Sequence, residues 1–105
     1  MGRGDARSSL LVLLLALLCR GRAHGYALMA GLRHRAGPAL DYPEGSVYPV
    51  LQQMERDGLV RSNREIVDGR SRRVYEVTER GRAYYAEQRE AWLEYLKAMS
   101  TILEG

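Results

Sequence analysis

Residues 45–56 read GSVYPVLQQMER. At about 100° per residue Val47, Val50, Leu51 and Met54 share one face of a helix, and Gly45, Pro49, Gln52, Gln53 and Arg56 share the other. Ser46 and Tyr48 stand on the flanks of that outer face. Its chemistry is specific. Hydroxyls on Ser46 and Tyr48 can donate to a phosphate or accept from a base, and the amides of Gln52 and Gln53 match the paired donor and acceptor of an adenine edge. Pro49 offers apolar contact to a thymine methyl or a sugar, or simply shapes the helix. Plainer roles stand beside these: a cap for Ser46, packing on the preceding helix for Tyr48, and ordinary solvated amides for the glutamines.

A second cluster is Arg70-Ser71-Arg72-Arg73, the densest basic patch in the chain. Arg is suited to phosphates and guanine edges because its guanidinium is a planar fork of donors. Arg72 and Arg73 fit phosphate or minor-groove contact; the alternatives are a solvated strand end or, for Arg73, a pair with a helix acid. Tyr26, at the start of a helical stretch, could donate to a phosphate beside that helix N-terminus or pack in the core. His24 reads as a helix-start hydrogen bonder rather than a ligand.

The charge balance fits such a partner without requiring it. Sixteen cations against thirteen anions leave a net +3, and fifteen of the cations are Arg, with Lys97 the one lysine. By segment the sums are +5 over residues 1–35, −3 over 36–55, +3 over 56–82 and −2 over 83–105. Positive charge is therefore concentrated in particular segments, residues 1–35 and the hairpin region, although an Arg-rich composition also follows from a genome rich in G and C.

Other chemistries find no footing. The single cysteine, Cys19, excludes an internal disulfide and fits a reducing compartment as a small buried hydrophobe. With His24 and His34 it is too little for a closed zinc site. There is no phosphate-cradling glycine loop, no His-x-x-x-His pair, and no base and orienter to activate Ser46. Neither an enzyme nor a cofactor is expected.

The elements that position these residues follow from apolar periodicity. One hundred and five residues make one small domain. Leu10–Cys19 is a run of ten apolar residues behind Arg3 and Arg7. It is too short for a membrane span of roughly 20 residues, but it has two features of a secretory signal peptide, with Ala23 near a potential cut. The other reading is a helix capped by Ser8 or Ser9 and buried on nearly all sides, which a second subunit would explain. Arg3-Gly4-Asp5 spells an adhesion tripeptide, a match expected by chance.

A second helix begins at His24-Gly25-Tyr26 and stops at Gly37-Pro38. Asp41-Tyr42-Pro43-Glu44 turns into a third that ends at Gly58, with Pro49 early enough not to break it. Leu59 to Ile66 and Arg72 to Thr78 form a hairpin around Asp68-Gly69, with Arg73, Tyr75 and Val77 on one face of the return strand. Thr78 caps a last helix to about Leu103, on which Tyr85, Trp92 and Met99 recur every seven residues with Leu96 and Leu103 beside them. The expected fold is mainly α with a small β-hairpin: a winged helix-turn-helix over residues 8–78 and a C-terminal dimerisation helix over 79–104 packed with the first helix. In such a module the third helix enters the major groove and the wing follows the phosphates or the minor groove.

These residues resemble the PadR family of transcriptional regulators, in its short form. The resemblance covers residues 9–104 and rests on several pieces: the apolar first helix, His24-Gly25-Tyr26, Gly45-Ser46-Val47-Tyr48-Pro49-Val50-Leu51, and Glu55 with Asp57-Gly58-Leu59-Val60. It continues through Gly69-Arg70-Ser71-Arg72-Arg73-Val74-Tyr75 and Val77-Thr78-Glu79-Arg80-Gly81. Two positions depart: Pro43 stands where members often place a serine-type cap, and Glu44 where many have proline.

The resemblance implies a cytoplasmic, nucleoid-associated homodimeric repressor that binds double-stranded DNA at a pseudo-palindrome and releases it to a small molecule. DNA-binding residues would be Tyr26, Ser46, Tyr48, Pro49, Gln52, Gln53, Arg70, Arg72 and Arg73. The dimer interface would use Leu10, Leu11, Leu14, Leu15, Leu18, Trp92, Leu96, Met99 and Leu103, with Trp92 also a platform for a planar aromatic effector. No membrane partner is implied. Two rival readings are a protein-interaction module of the same fold with vestigial DNA binding, and a small secreted protein with a cleaved leader.

Overall fold

The apolar run lies within a helix, α1 (Ala6–Leu18), in the computed structural model, which describes residues 6–105. Arg3-Gly4-Asp5 lies outside the described residues. The helix starts ahead of both serines, so neither is its cap; Ser9 sits inside it, its hydroxyl 2.7 Å from that of Tyr42. There follow β1 (Ala23–His24), α2 (Gly25–Ala36), a 3-10 turn (Gly37–Leu40), α3 (Glu44–Arg56), β2 (Val60–Val67), β3 (Arg70–Val77) and α4 (Glu79–Leu103).

Local signals explain the boundaries. His24 Nδ1 accepts from the Ala27 amide and caps α2. At the end of α3 the Leu59 amide donates to the Met54 carbonyl and the Gly58 amide to that of Glu55, a Schellman closure that Gly58 permits with φ of +76°. Pro49 leaves α3 unbroken, because the only carbonyl it deprives of a donor is that of exposed Gly45. Asp68 and Gly69, at φ of +53° and +79°, make the two-residue primed turn that suits a hairpin's twist.

The sheet has the order β1-β3-β2, antiparallel throughout. Its third strand, β1, was not expected: two residues carry no periodicity, and the pairing of Ala23 with Tyr75 and His24 with Val74 is a long-range contact. The hairpin register puts Ser62 opposite Tyr75 and Arg64 opposite Arg73, so those four share one face. Arg72 and Arg70 lie on the other face, as the alternation predicts.

One core joins the helices and the base of the wing. Leu10, Leu14, Leu15 and Leu18 of α1 pack with Leu28, Met29 and Leu32, with Val47, Val50, Leu51 and Met54, and with Leu59, Val60, Tyr75 and Val77. The four α1 leucines are only 0–1% exposed, which corrects their assignment to a dimer interface. A side chain already sealed inside its own protomer has no area left for a second chain. They are also among the most completely buried side chains of the described residues, so α1 is a structural element of this fold.

Helix α4 does not share that burial. Tyr85, Ala91 and Trp92 are half-buried, whereas Leu93, Leu96, Met99, Ile102 and Leu103 are exposed, and the molecule measures 53 × 29 × 21 Å. At its base α4 is fastened tightly. Thr78 Oγ1 accepts from the Gly81 amide at 3.0 Å and lies 2.6 Å from the Gly58 carbonyl, to which it donates. Arg80 Nε donates to the Asp57 carbonyl at 2.9 Å. Among the described residues no helix is long and apolar enough to cross a membrane.

Candidate nucleic-acid interface

The buried stripe of α3 is Val47, Val50, Leu51 and Met54, which turns Tyr48, Pro49 and Gln52 outward. Tyr48 does so while leaning on α2: a Cβ added to Gly25 would stand 2.7 Å from its ring carbons and hydroxyl. The bare glycine is what lets the far end of the phenol lie there, the residue as a whole 42% exposed. Packing and outward display thus coexist in one residue. Ser46 is half-buried, and its hydroxyl donates to the Pro43 carbonyl at 2.7 Å, leaving only acceptor lone pairs for a partner. It serves the first turn from inside the helix and is not its cap, a place taken by Pro43.

The two glutamines differ. Gln52 is exposed, with no side-chain partner among the described residues. Gln53 is half-buried and spans neighbours, its amide donating to Asp57 at 3.0 Å and its carbonyl accepting from Arg56 at 2.7 Å. Its donor and acceptor are already matched along the helix.

Beside α3 lies the start of α2. Tyr26 is 60% exposed, its ring stacked near His24 with centroids 6.5 Å apart. The Arg72 guanidinium stands over that ring, 5.7 Å from the centroid. A line of neighbours therefore runs Arg72, Tyr26, Gly25, Tyr48, and on to Gln52 one turn along α3. Arg70, at the hairpin turn, is exposed.

Several other arginines are engaged. Arg22 pairs with Glu65, tying the approach to β1 to the wing, and Arg61 Nε pairs with Glu76 at 3.1 Å. Arg73 Nη1 donates to Ser62 Oγ at 2.9 Å. Sequence reasoning missed Arg64, which is exposed on the hairpin directly opposite Arg73 and donates weakly to Ser71 Oγ at 3.4 Å. The signal was available: a turn at Asp68-Gly69 sets the register that puts residue 64 across from residue 73.

Two protonatable groups are perturbed, buried Tyr75 and half-buried Cys19. Burial pushes the Tyr75 phenol above the ordinary tyrosine value; Glu55 and, more weakly, Tyr48 add to this, while Arg73 opposes it. Burial likewise raises the Cys19 thiol, with Arg82 opposing. Among the described residues no group of three His, Cys, Asp or Glu could hold a metal ion.

Away from this face, α1 and α4 leave an apolar groove of about 330 Å³. Val12, Leu13 and Ala16 line one side, and Tyr85, Trp92, Leu93 and Leu96 the other. Trp92 is half-buried and meets Tyr95 edge to face at 6.0 Å. Of the sequence-predicted residues, Trp92 and Leu96 line this groove and Met99 and Leu103 lie exposed further along α4, while half-buried Leu11 is not among its lining. Val12, Leu13 and Ala16 were missed because an unbroken apolar run does not say which side faces inward, and Leu93 because it falls one position past the seven-residue repeat at Trp92.

Comparison with known proteins accords with this geometry. The transcriptional regulator Rv3488 of Mycobacterium tuberculosis is 51% identical over 47 residues, which are 45% of this chain and 44% of that regulator. The matched part thus spans less than half of that relative. A PadR family transcriptional regulator from Eggerthella lenta superposes with a TM-score of 0.78 at 26% identity, covering 94% of this chain and 85% of that one. Bacillus subtilis PadR, in a structure with operator DNA, gives a TM-score of 0.70 at 20% identity over 76% of this chain and 45% of its own. The model of the PadR-like family of transcriptional regulators matches residues 14–87, most of the chain. Its members are regulators and not enzymes, and this winged-helix chain belongs to that family.

Proposed function

We propose that this chain regulates transcription by binding double-stranded DNA as a homodimer, with α3 in the major groove and the β2–β3 wing on the phosphates or in the minor groove. The observation that carries the reading is the continuous line Arg72–Tyr26–Gly25–Tyr48, in which buried Gly25 brings exposed Tyr26 and Tyr48 together and half-buried Arg72 joins them to the wing. The complex of Bacillus subtilis PadR with operator DNA supports it. Tyr48, Pro49 and Gln52 read bases; Arg70, Arg72 and Tyr26 contact the backbone; Ser46 and Gln53 contribute by shaping α3. A titration of specific and scrambled duplexes tests this. Arg72→Ala weakens both alike, whereas Gln52→Ala costs roughly 1–3 kcal/mol on the specific duplex alone. Equal losses for the two variants on both duplexes defeat the assignment.

The α1–α4 groove and the exposed apolar stripe of α4 support the homodimer. A second copy of α4 covers Leu13, Trp92, Leu93 and Leu96, and the two reading helices then face half-sites of a pseudo-palindrome one DNA turn or a multiple apart, roughly 34 Å per turn. Sedimentation checks it, the expected particle having twice the 11.9 kDa chain mass and Leu96→Asp returning it to one. Within the pair Trp92 and its counterpart form the platform for a planar aromatic effector that favours the DNA-incompetent spacing and so relieves repression. Unchanged Trp92 fluorescence across a panel of planar aromatics, with DNA affinity intact, argues for a ligand-free repressor. A DNA partner puts the protein in the cytoplasm, at the nucleoid.

A further inference from the structure

The wing carries two adjacent arginines on opposite faces, and they are held differently. Arg72 is half-buried, with its guanidinium over the Tyr26 ring. Arg73 is exposed, but its Nη1 donates to Ser62 Oγ at 2.9 Å, and Ser62 Oγ lies 3.0 and 2.9 Å from the two carboxylate oxygens of Glu55. A hydroxyl has one proton and two lone pairs, so Ser62 can accept from Arg73 while donating to one Glu55 oxygen at a time. Glu55 lies in the last turn of α3, and Ser62 sits opposite buried Tyr75 in the sheet, near the wing's base. The relay thus runs from the reading helix to the wing and sets a carboxylate against one wing cation.

We propose that Glu55, acting through Ser62, withholds Arg73 from phosphate and fixes the wing against α3, so that Glu55 and Arg73 are positioning residues that set specificity. This rests on the DNA-binding reading above. An arginine left free on the wing would add one sequence-blind phosphate contact, raising affinity for every duplex and narrowing the margin for the correct one. The geometry supplies the means to prevent that: a carboxylate presented by the helix that does the reading.

The test measures affinity against salt concentration for wild type, Glu55→Gln, Arg73→Gln and the double variant. The probes are a 30-base-pair duplex footprinted upstream of the protein's own gene and a scrambled duplex of the same composition. Glu55→Gln is expected to tighten scrambled-duplex binding about threefold to tenfold at low salt and to steepen the logarithmic salt slope by about one. Arg73→Gln leaves the slope at its wild-type value, and in the double variant the effect of Glu55→Gln disappears. An Arg73→Gln slope that drops by about one, or a Glu55→Gln slope that does not move, overturns the proposal. Wild-type protein that binds neither duplex overturns the DNA reading instead. The relay is then judged by thermal unfolding: the two substitutions cost as much alone as together if they act through Ser62, and costs that add overturn it.

Discussion

The Arg72 guanidinium stands over the Tyr26 ring at 5.7 Å, so a strand of the wing and the first turn of α2 present their side chains as one unit. A cation held on an aromatic face at an exposed site gains about 0.5–1 kcal/mol and loses fewer rotamers on binding. Tyr26→Leu is therefore expected to weaken specific and scrambled duplexes equally, by about twofold to fivefold. Tyr26→Phe keeps the ring and loses only the hydroxyl's contact to the backbone, so it is expected to fall between wild type and Tyr26→Leu. If Tyr26→Phe loses as much as Tyr26→Leu in an anisotropy titration, the hydroxyl and not the ring is the working part.

Gly25 makes room for Tyr48. In Gly25→Ala the new methyl must push the far end of that ring aside, a movement open to a side chain at the surface. Stability should change by less than about 1 kcal/mol, since alanine is also the better helix former. Sequence preference, by contrast, should fall as it does in Tyr48→Ala. Wild-type discrimination in Gly25→Ala would show that the ring's resting place does not matter for reading.

Gly81 is a harder case. A Cβ there would lie 2.0 Å from the Leu59 carbonyl oxygen and 2.7 Å from a Val77 methyl carbon, and the backbone cannot swing away as a side chain can. Gly81→Ala is expected to cost at least the roughly 1–3 kcal/mol typical of overpacking, read as a lower urea midpoint with unchanged slope. An unshifted midpoint would mean that α4 is not seated against the α3–β2 turn as closely as described.

Tyr75 supplies a pH dependence. Its phenol is raised in the folded chain, chiefly by burial and then by Glu55, with Arg73 opposing and Tyr48 adding. The unfolded chain releases this proton first, near pH 10. The stabilisation is thus complete below about pH 10 and is lost as pH rises through the folded value. The urea midpoint of wild type should fall faster than that of Tyr75→Phe above about pH 10. Parallel curves would place the alkaline loss on other groups.

Where the sequence was legible, a local rule was at work. The α3 stripe, the Gly58 stop, the Asp68-Gly69 turn and the Thr78 cap each depend on residues a few positions apart, and each appears where the pattern puts it. The inward side of α1 was not legible, because a run of ten apolar residues has no polar face to orient it; only packing against Val47 and Leu51 turned Leu10 and Leu14 inward and left Val12 and Leu13 toward the groove. Nor was β1, whose partners lie some fifty residues on. In the site, residue types were readable but their commitments were not. Ser46 is spent on Pro43 and Gln53 on Asp57, partners close in the chain whose choice over DNA the residue types do not reveal, and Arg73 is spent on Ser62 across the hairpin.

The fastening at the foot of α4 has a mechanical result. Thr78, Arg80 and Gly81 bind the base of a 25-residue rod to the carbonyls that close α3, with no slack residue between them. A rod of roughly 37 Å tilted by about ten degrees moves its far tip by about 6 Å. Torque applied at Met99 or Leu103 is therefore not absorbed at a hinge but arrives at the C-terminal end of α3, and the two helices turn as the arms of a crank.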